Sequence, residues 1–241
     1  MLRTRPYGFE STENCQACAW RNERYFCNLP PSALSMFDRV SFIHVYPQAS
    51  VLFSEGQAPR GLYMICRGSA KLTIGSGDGR SLVLHIAHAG EVLGLASVIS
   101  GRDHKTTAET LEPSQIRFIK RDDFLRLSGE YHDACHHAAL QLADECDANT
   151  DQVRSIGLSH SAAEKLAHLF LTWCDESGKE TQDGIRVPML MTHHDMAQLI
   201  GTSRETVTRL LKDFRDQGII STKGSTLTIR NPGALNALVT M

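Results

Sequence analysis

Three cysteines near the start of the chain have the residue type and spacing to bind a metal: Cys15, Cys18 and Cys27, in the pattern C-x2-C-x8-C. Closely spaced thiolates are the usual protein ligands of iron–sulfur clusters and of structural zinc. The chain has seven cysteines, an odd number that argues against a disulfide framework and for metal or redox use. The alternative is that the three cysteines are ordinary thiols of a polar N-terminal arm.

A second set of side chains, near the end of the chain, is suited to read DNA. Arg forms bidentate hydrogen bonds with guanine, Glu accepts one from the cytosine amino group, and the Thr methyl contacts thymine. Glu205, Thr208 and Arg209 are spaced i, i+3 and i+4, so on a helix they project from one side. The predicted DNA contacts are Ser203, Arg204, Glu205, Thr208, Arg209 and Lys212.

Two short helices and a β-hairpin must position this set. Apolar residues at helical spacing predict helices over 193–200 and 203–217, separated by Gly201. Residues 219–223 and 225–230 each alternate between apolar and polar side chains. They predict a β-hairpin, called the wing, that follows the second helix. A helix-turn-helix places the N-terminal part of its second helix in the major groove. The pattern therefore predicts a sequence-specific binder of double-stranded DNA.

The starts of the same helices also allow a purely structural interpretation. Residues 192–195 and 202–205 both fit the capping box, in which an acidic side chain returns to the helix start. Glu205 would then be a cap, and Arg209 a solvated charge. Between residues 204 and 230 there are six Lys and Arg against three acids, a local charge of +3 in a chain of −2. This clustered positive charge favours the DNA-binding interpretation.

The middle of the chain predicts a β-domain followed by a long helix. Short strands punctuated by glycines over residues 31–126 are typical of a sandwich or jelly roll. Residues 132–156 are predicted to form a helix that Gly157 ends, with a 4-3 repeat along one face. This seam predicts pairing with a second copy in a homodimer; the alternative is that it packs on its own β-domain. The seam comprises Cys135, Ala139, Leu142, Cys146, Asn149, Val153 and Ile156.

Composition and patterning exclude several classes of protein. The 241 residues are 41% hydrophobic and 22% charged, as in ordinary globular proteins. No apolar run is long enough to span a bilayer and the first residues lack a signal segment, which predicts a cytoplasmic protein without a membrane partner. No catalytic triad or acid pair is recognisable, so the chain is predicted not to be an enzyme.

A remote alternative is a cupin-like metalloenzyme with His85, His88 and Glu91 as ligands. Residues three apart on a strand point to opposite faces, which argues against this metal site.

The succession of these parts resembles the CRP/FNR family of bacterial transcription regulators. The most specific segments are 61–68 (GLYMICRG), 90–94 (GEVLG) and 201–211 (GTSRETVTRLL). The resemblance implies an α+β chain that ends in a winged helix-turn-helix. Its implied parts are a Cys-bearing segment (1–30), a cyclic-nucleotide-binding-like β jelly roll that acts as sensor (31–130), a dimerisation helix (131–158) and the DNA-binding domain (159–241).

The resemblance further implies a homodimer that binds a palindrome whose half-sites share a TGA core, with RNA polymerase as a further partner. The side chains that read the operator in this family match Arg204, Glu205, Thr208 and Arg209. Arg204 favours TGTGA-like over TTGAT-like half-sites. The implied dimer contacts are Leu142, Cys146, Asn149, Val153 and Ile156.

Branches of the family differ in the signal that the regulator senses. The cyclic-AMP-responsive branch holds its nucleotide with a Glu just after a Gly and with a later Arg-Ser pair. Here Gly94 is followed by Leu95, and residues 100–106 contain no Arg-Ser pair, so cyclic AMP is not the expected ligand.

The oxygen-sensing branch resembles this chain in its N-terminal cysteines. That branch binds a [4Fe–4S] cluster with one further Cys from the β-domain, and the aligned position is Arg117 here. The leading expectation is switching by oxygen, redox state or nitric oxide through a cluster on Cys15, Cys18 and Cys27. The fourth ligand is left open between Cys66, Cys135, Cys146 and a group other than Cys. The second is a small ligand other than cyclic AMP in the β-domain, with structural or zinc-bound cysteines.

Overall fold

The computed structural model describes Tyr7, residues 15–18, Arg21 and residues 24–239. The chain divides into two compact units, one of residues 1–80 with 84–149 and one of residues 81–83 with 150–241. No described helix combines the length and the apolar character that a membrane span needs.

The β-domain has the jelly-roll type of fold that the sequence predicts. Its elements are α1 (Pro31–Val40), β1 (Ser41–Tyr46), β2 (Val51–Phe53), β3 (Gly61–Arg67), β4 (Ala70–Gly75), β5 (Ser81–Ala87), β6 (Val92–Leu93), α2 (Leu95–Ser100), β7 (Thr107–Thr110), β8 (Ser114–Lys120) and α3 (Arg121–Glu130). The strands form two four-stranded sheets, in the orders β1-β8-β3-β6 and β2-β7-β4-β5. Strand β3 runs antiparallel to both β6 and β8.

Alternation along the strands supplies two separate apolar cores. Phe53, Ile65 and Ile116 belong to the cluster that includes residues of both sheets. The other cluster includes Phe26 and Met64, together with residues of α1 and α3. Because successive strand residues point to opposite faces, Ile65 and Met64 fall in different cores. Phe26 is fully buried, so the described part of the N-terminal segment belongs to the packed structure.

The long helix, α4 (His132–Leu158), continues two residues past its predicted end. Gly157 does not end it, because a Gly inside a helix costs only about 1 kcal/mol relative to Ala. Its buried residues are Ala134, Ala138 and Gln141, on the face that packs on the β-domain. Leu142 of the predicted seam is partly buried and also packs against this core.

The seam lies on a different face of α4. Cys135, Ala139, Cys146, Asn149 and Val153 are exposed, whereas Leu142 and Ile156 are half-buried. Val153 keeps 70% of its surface exposed. An apolar side chain with that exposure at a heptad position is available to a second copy of the helix.

The C-terminal unit confirms the predicted winged helix-turn-helix. It contains α5 (Ala162–Ser177), β9 (Lys179–Thr181), β10 (Gly184–Pro188), α6 (His193–Leu199), α7 (Arg204–Asp216), β11 (Ile220–Lys223), β12 (Thr226–Ile229) and α8 (Pro232–Val239). The sheet order is β11-β12-β10-β9. The wing strands β11 and β12 were predicted; the hairpin of β9 and β10 and the last helix, α8, were not. Phe170 of α5 packs edge-on against Phe214 of α7, with ring centroids 6.5 Å apart.

Candidate DNA-binding and cysteine sites

Helix α7 begins one residue later than the sequence pattern indicates. Its N-cap is Ser203, whose hydroxyl accepts a hydrogen bond from the Thr206 amide at 3.2 Å. The capping box predicted over 202–205 is therefore wrong, because Glu205 is the second helical residue rather than the third. Hydrogen bonds from its own amide and from the Ser203 hydroxyl lower the pKa of the Glu205 carboxyl.

The two faces of α7 have opposite character. The buried residues of the helix are Val207, Leu210, Leu211 and Phe214. The exposed set is Ser203, Arg204, Glu205, Thr208, Arg209 and Lys212. The structure therefore places all six predicted DNA contacts along one accessible side of α7 and its N-cap. With an Arg at each end of the Arg204–Arg209 stretch, this surface offers hydrogen-bond donors to guanine and a carboxylate acceptor between them.

The preceding helix, α6, contributes a side chain that the sequence pattern did not identify. Its predicted capping box is confirmed, since Thr192 Oγ1 accepts from the Asp195 amide at 3.1 Å and Asp195 accepts from the Thr192 amide at 3.0 Å. His193 Nδ1 lies 3.0 Å from Thr208 Oγ1, which itself donates to the Arg204 carbonyl at 2.9 Å.

These hydrogen bonds determine which ring nitrogen of His193 carries the hydrogen and which group of Thr208 stays free. A hydroxyl has one proton, so Thr208 accepts from His193, whose Nδ1 must carry the hydrogen. Burial, and then the charges of Arg204 and Arg215, lower the pKa of His193, which favours the neutral form of the ring. With its hydroxyl engaged by the protein, Thr208 retains its methyl group for a base contact.

The cysteine site is a small cavity in the first unit. Its volume is about 20 Å³, roughly the space of one water molecule. The cavity is lined by Cys15, Cys18, Cys27, Met64, Ile65, Cys66, Gly90 and Arg117. The three predicted ligands therefore face a common space, and a fourth cysteine, from β3, joins them. None of the seven cysteines forms a disulfide.

Different elements bring the four thiols together. Cys15 begins a 3-10 turn (Cys15–Ala17), and Cys27 lies in a second one (Tyr25–Asn28). Cys66 lies on β3, at an irregularity in its pairing with β8. Gly90, in the turn between β5 and β6, adopts φ +92°, and a Cβ there would collide with the Arg24 side chain. A Gly at this point lets the N-terminal segment approach the sheet closely.

Among the described residues, Arg117 is the charged side chain that lines the cavity. It is only 2% exposed, and its Nη1 lies 2.9 Å from Asp38 Oδ1 and 2.7 Å from Ser41 Oγ. Asp38 also accepts a hydrogen bond from the Cys15 amide at 3.1 Å, so it joins Arg117 to the first cysteine. Arg117 Nε has no hydrogen-bond partner within the described structure.

Burial controls the protonation of the thiols. It raises the pKa of Cys27 to about 12 and also raises the pKa of Cys15 and Cys66, while the positive charge of Arg117 opposes the rise at all three. The thiols are therefore protonated without a metal, and a metal or cluster must displace their protons as it binds. Among the described residues, no three His, Cys, Asp or Glu side chains converge tightly enough to hold a single metal ion.

The cysteine-bearing segment also contacts α4. Tyr25 Oη donates a hydrogen bond to Asp144, and the Tyr25 carbonyl pairs with His137 Nδ1. The Phe26 ring packs on Phe37 and Phe124, with centroids 6.2 and 6.0 Å apart. The residue before Phe26 therefore touches the helix that carries the seam, and the residue after it, Cys27, lines the cavity.

The segments after Gly94 and over residues 100–106, where the resemblance places the nucleotide contacts, contain buried side chains. Leu95 is fully buried, and His104 is 3% exposed and stacks on Phe53 with ring centroids 3.9 Å apart. Burial lowers the pKa of His104. Arg102 and Lys105 of the second segment are exposed.

The remote metalloenzyme site is not assembled as three ligands. His85 Nε2 lies 2.7 Å from Glu91 Oε2, while the other oxygen of Glu91 accepts the His88 amide at 3.0 Å. Glu91 thus uses both oxygens within the β5–β6 connection, in a pairing that serves the fold.

Comparison with known proteins identifies the class to which these sites belong. Residues 43–131 match the model of the cyclic nucleotide-binding domain, and residues 164–238 match that of the Crp-like helix-turn-helix domain. The chain is a DNA-binding transcription regulator and not an enzyme. It belongs to the CRP/FNR family, whose members bind DNA and act as dimers.

Individual relatives span most of the chain. It is 26% identical over 209 residues to the cyclic AMP receptor protein of Thermus thermophilus, covering 86% of this chain and 90% of the relative. It is 28% identical over 189 residues to the cAMP-activated global transcriptional regulator CRP of Pasteurella multocida, covering 78% and 89%. FixK2 of Bradyrhizobium japonicum shares the fold, with a TM-score of 0.72 at 22% identity over 83% of this chain and 97% of that one.

Proposed function

We propose that this regulator binds, as a homodimer, a DNA palindrome whose half-sites share a TGA core and resemble TGTGA. The exposed face of α7 carries the proposal. Arg204 and Arg209 are assigned to guanines, Glu205 to a cytosine amino group, and the Thr208 methyl to thymine. Lys212 and Ser203 border this set and are assigned to the sugar–phosphate backbone, which positions the helix without reading sequence.

Dimerisation through the seam of α4 explains why the site should be palindromic. A two-fold axis between paired helices presents two copies of α7 to successive major grooves, which requires two inverted half-sites. The exposed apolar side chain of Val153 supports this arrangement. RNA polymerase is the expected protein partner of the DNA-bound dimer, on the basis of family membership.

We further infer that Cys15, Cys18 and Cys27 hold an iron–sulfur cluster, most simply [4Fe–4S]. Their thiols line one cavity, as a shared group requires. Structural zinc on the same thiolates is the alternative metal, and sulfide analysis distinguishes it from a cluster. A bound cluster supplies one-electron chemistry and sensitivity to oxygen or nitric oxide.

The N-terminal segment connects the cavity to the rest of the molecule, because it carries Cys15, Cys18 and Cys27 of the lining. That segment contacts α4 through Tyr25, on the helix that bears the seam. Loss of the cluster would therefore change the support of α4 and weaken dimerisation and operator binding, as a two-state switch.

A second candidate is that a small ligand in the β-domain switches the same regulator. The match of residues 43–131 to the cyclic nucleotide-binding domain is the observation behind this alternative. Cyclic AMP itself fits poorly, because Leu95 replaces the expected acid and residues 100–106 contain no Arg-Ser pair for the phosphate.

Anaerobic purification followed by iron and sulfide analysis and visible spectroscopy tests the sensor. The cluster proposal predicts brown protein with matched iron and sulfide; colourless protein without iron would leave the small-ligand alternative. DNA binding is tested separately, by fluorescence anisotropy with a palindromic TGTGA duplex and a duplex of scrambled half-sites. Equal affinity for the two duplexes, or no dependence on salt, would contradict the DNA-reading proposal.

A further inference from the structure

The position aligned with the family's distant cysteine ligand is an arginine here, yet the cavity contains a fourth cysteine. Four cysteines remain outside the N-terminal trio: Cys66, Cys135, Cys146 and Cys174. Cys135 and Cys146 are exposed on α4, and Cys174 lies in α5 of the C-terminal unit. Of these four, Cys66 alone lines the cavity with Cys15, Cys18 and Cys27.

The pairing of β3 with β8 explains how Cys66 reaches this position. Met64 pairs with Arg117 and Ile65 with Ile116, but the next pair is Arg67 with Gln115, so Cys66 is an inserted residue. A bulge of this kind re-aims a side chain and is common beside functional sites.

The turn before β6 holds the bulge in place through backbone hydrogen bonds. Gly90, which also lines the cavity, donates its amide to the Ile65 carbonyl at 2.7 Å. Ile65 in turn donates its amide to the Glu91 carbonyl at 2.9 Å, so both backbone groups of the residue before Cys66 are held.

Arg117 provides what a buried cluster with four thiolates needs. Such a cluster is net negative, and a buried negative charge must be paired with a cation or hydrogen-bonded. Arg117 is 2% exposed, and Asp38, the carboxylate that it contacts, also accepts a hydrogen bond from the Cys15 amide. Its Nε is buried without a hydrogen-bond partner in the described structure, which leaves one donor for a sulfur.

We propose that Cys66 is the fourth cysteine ligand of the cluster, and that Arg117, which stands where the family places that ligand, is the outer-shell cation that donates to its sulfurs. This inference rests on the cluster proposed above. Arg117 and Asp38 form a positioning pair: the guanidinium offsets the charge of the thiolates, and the carboxylate holds the loop at Cys15. Outer-shell donors of this type tune metal affinity and redox potential.

The ligand is tested with anaerobically purified full-length wild-type protein, Cys66→Ser and the matched control Cys135→Ser, which changes an exposed cysteine of α4. Iron and sulfide per chain, visible absorbance and thermal unfolding are measured. Cys66→Ser is expected to lose the four-iron absorbance and most of its iron, as a Cys18→Ser variant does, while Cys135→Ser keeps both. Full iron and an unchanged spectrum in Cys66→Ser would overturn Cys66 as the ligand while the cluster itself stands.

A second measurement covers the case in which Cys66→Ser does not fold. Wild-type protein is treated with iodoacetamide before and after anaerobic removal of the cluster with a chelator, and labelled peptides are quantified. Cys66 is expected to become reactive together with Cys18. Equal labelling of Cys66 with and without the cluster would overturn the assignment. Wild-type protein that never carries iron and sulfide would instead overturn the cluster, and with it this inference.

The role of Arg117 has its own readout. Arg117→Lys keeps the charge but removes the Nε donor, so it should retain iron under anaerobic conditions. Its visible absorbance should decay in air faster than that of the wild type, on the order of 10-fold, with a shifted reduction potential. Arg39→Lys, on an exposed surface of α1, is the matched control. The same decay rate and potential in Arg117→Lys as in wild type would contradict the outer-shell role.

Discussion

The DNA-reading helix and the cysteine cavity are assembled in opposite ways. The contacts of α7 come from ten consecutive positions, 203–212, and helix geometry alone aligns them. The cavity draws its residues from two N-terminal turns, from β3 and from β8, which are far apart in the sequence. A surface formed by one helix can be recognised in the sequence as a periodic pattern. A site such as the cysteine cavity, whose residues come from several elements, depends on strand register and on a bulge, which the sequence does not show.

The two regions also differ in how they use charge. Around α7 the cationic groups are exposed and available to phosphates and bases, and salt will screen them. Arg117 is buried and paired, so its charge acts over a short range on the thiols beside it. Exposed cations around α7 suit a charged partner such as DNA. The buried cation Arg117 suits a charged group that is held inside the protein.

The largest predicted effect tests whether the cysteine segment belongs to the folded core. Phe26→Ala should lower the free energy of unfolding by about 3–5 kcal/mol, because a fully buried ring is removed from between Phe37 and Phe124. Urea denaturation measures the change. Phe42→Ala, at a ring that is 51% exposed, is the control and should cost far less. Equal losses would mean that the N-terminal segment contributes little to the core.

The next effect concerns the helix that lies between the two regions in the sequence. Val153→Lys should weaken the dimer by at least about 2 kcal/mol, roughly 30-fold in Kd, because it puts an unpaired ammonium at a seam position. Sedimentation equilibrium measures this. Asp151→Asn adds the same charge on an exposed position off the seam and should leave the dimer intact. A dimer that tolerates Val153→Lys would place the interface elsewhere.

A pair of variants on α7 separates base reading from phosphate binding. Arg209→Ala should cost about 1–3 kcal/mol on the palindrome and relax the preference at one base pair. Lys212→Ala should weaken all duplexes alike and reduce the slope of log K against log salt by about one. Anisotropy titrations at several salt concentrations distinguish these behaviours. If both variants behave alike, the assignment of α7 residues to bases and backbone is wrong.

The smallest predicted effect is a pH dependence of the folding stability that comes from the buried His104 of the β-domain. Because burial lowers the pKa of His104 in the folded protein, the unfolded chain takes up this proton first as the pH falls. The stability that depends on neutral His104 is therefore present above its ordinary pKa of 6.5 and is lost as the pH falls through the folded value. Urea titrations from about pH 7.5 to 5 should show this loss.

His104→Gln should flatten that pH profile, whereas His88→Gln, at an exposed position, should leave its slope unchanged. An identical slope in wild type and His104→Gln would show that the stacked ring does not couple protonation to folding.

Local periodicity accounts for what could be predicted from the sequence. The apolar faces of α6 and α7, the wing and the glycine-punctuated strands each repeat with a recognisable period, and the structure confirms them. The seam of α4 was also visible in this way, although its end was misplaced, since a single Gly157 does not stop a helix. The short β9–β10 hairpin gave no clear pattern, because strands of three and five residues carry little alternation.

Tertiary register accounts for what could not be predicted. No local pattern shows that Met64 pairs with Arg117, or that the next residues skip Cys66. The contact of His193 with Thr208 likewise depends on how α6 packs on α7. The sequence therefore identified three cysteines and the six α7 side chains, but not the residues that support them. It also left Cys66 as one of several candidates for the fourth ligand.

Control of DNA reading by the cysteine site, through α4, is tested by the affinity of one anaerobic preparation for the palindromic TGTGA duplex. The affinity is measured before and after brief exposure to air, with iron content followed in parallel. Affinity and dimer content are expected to fall together as iron is lost, and a Cys18→Ser variant is expected to show the low affinity throughout. Unchanged affinity after complete loss of iron would show that the cysteine site does not control DNA binding.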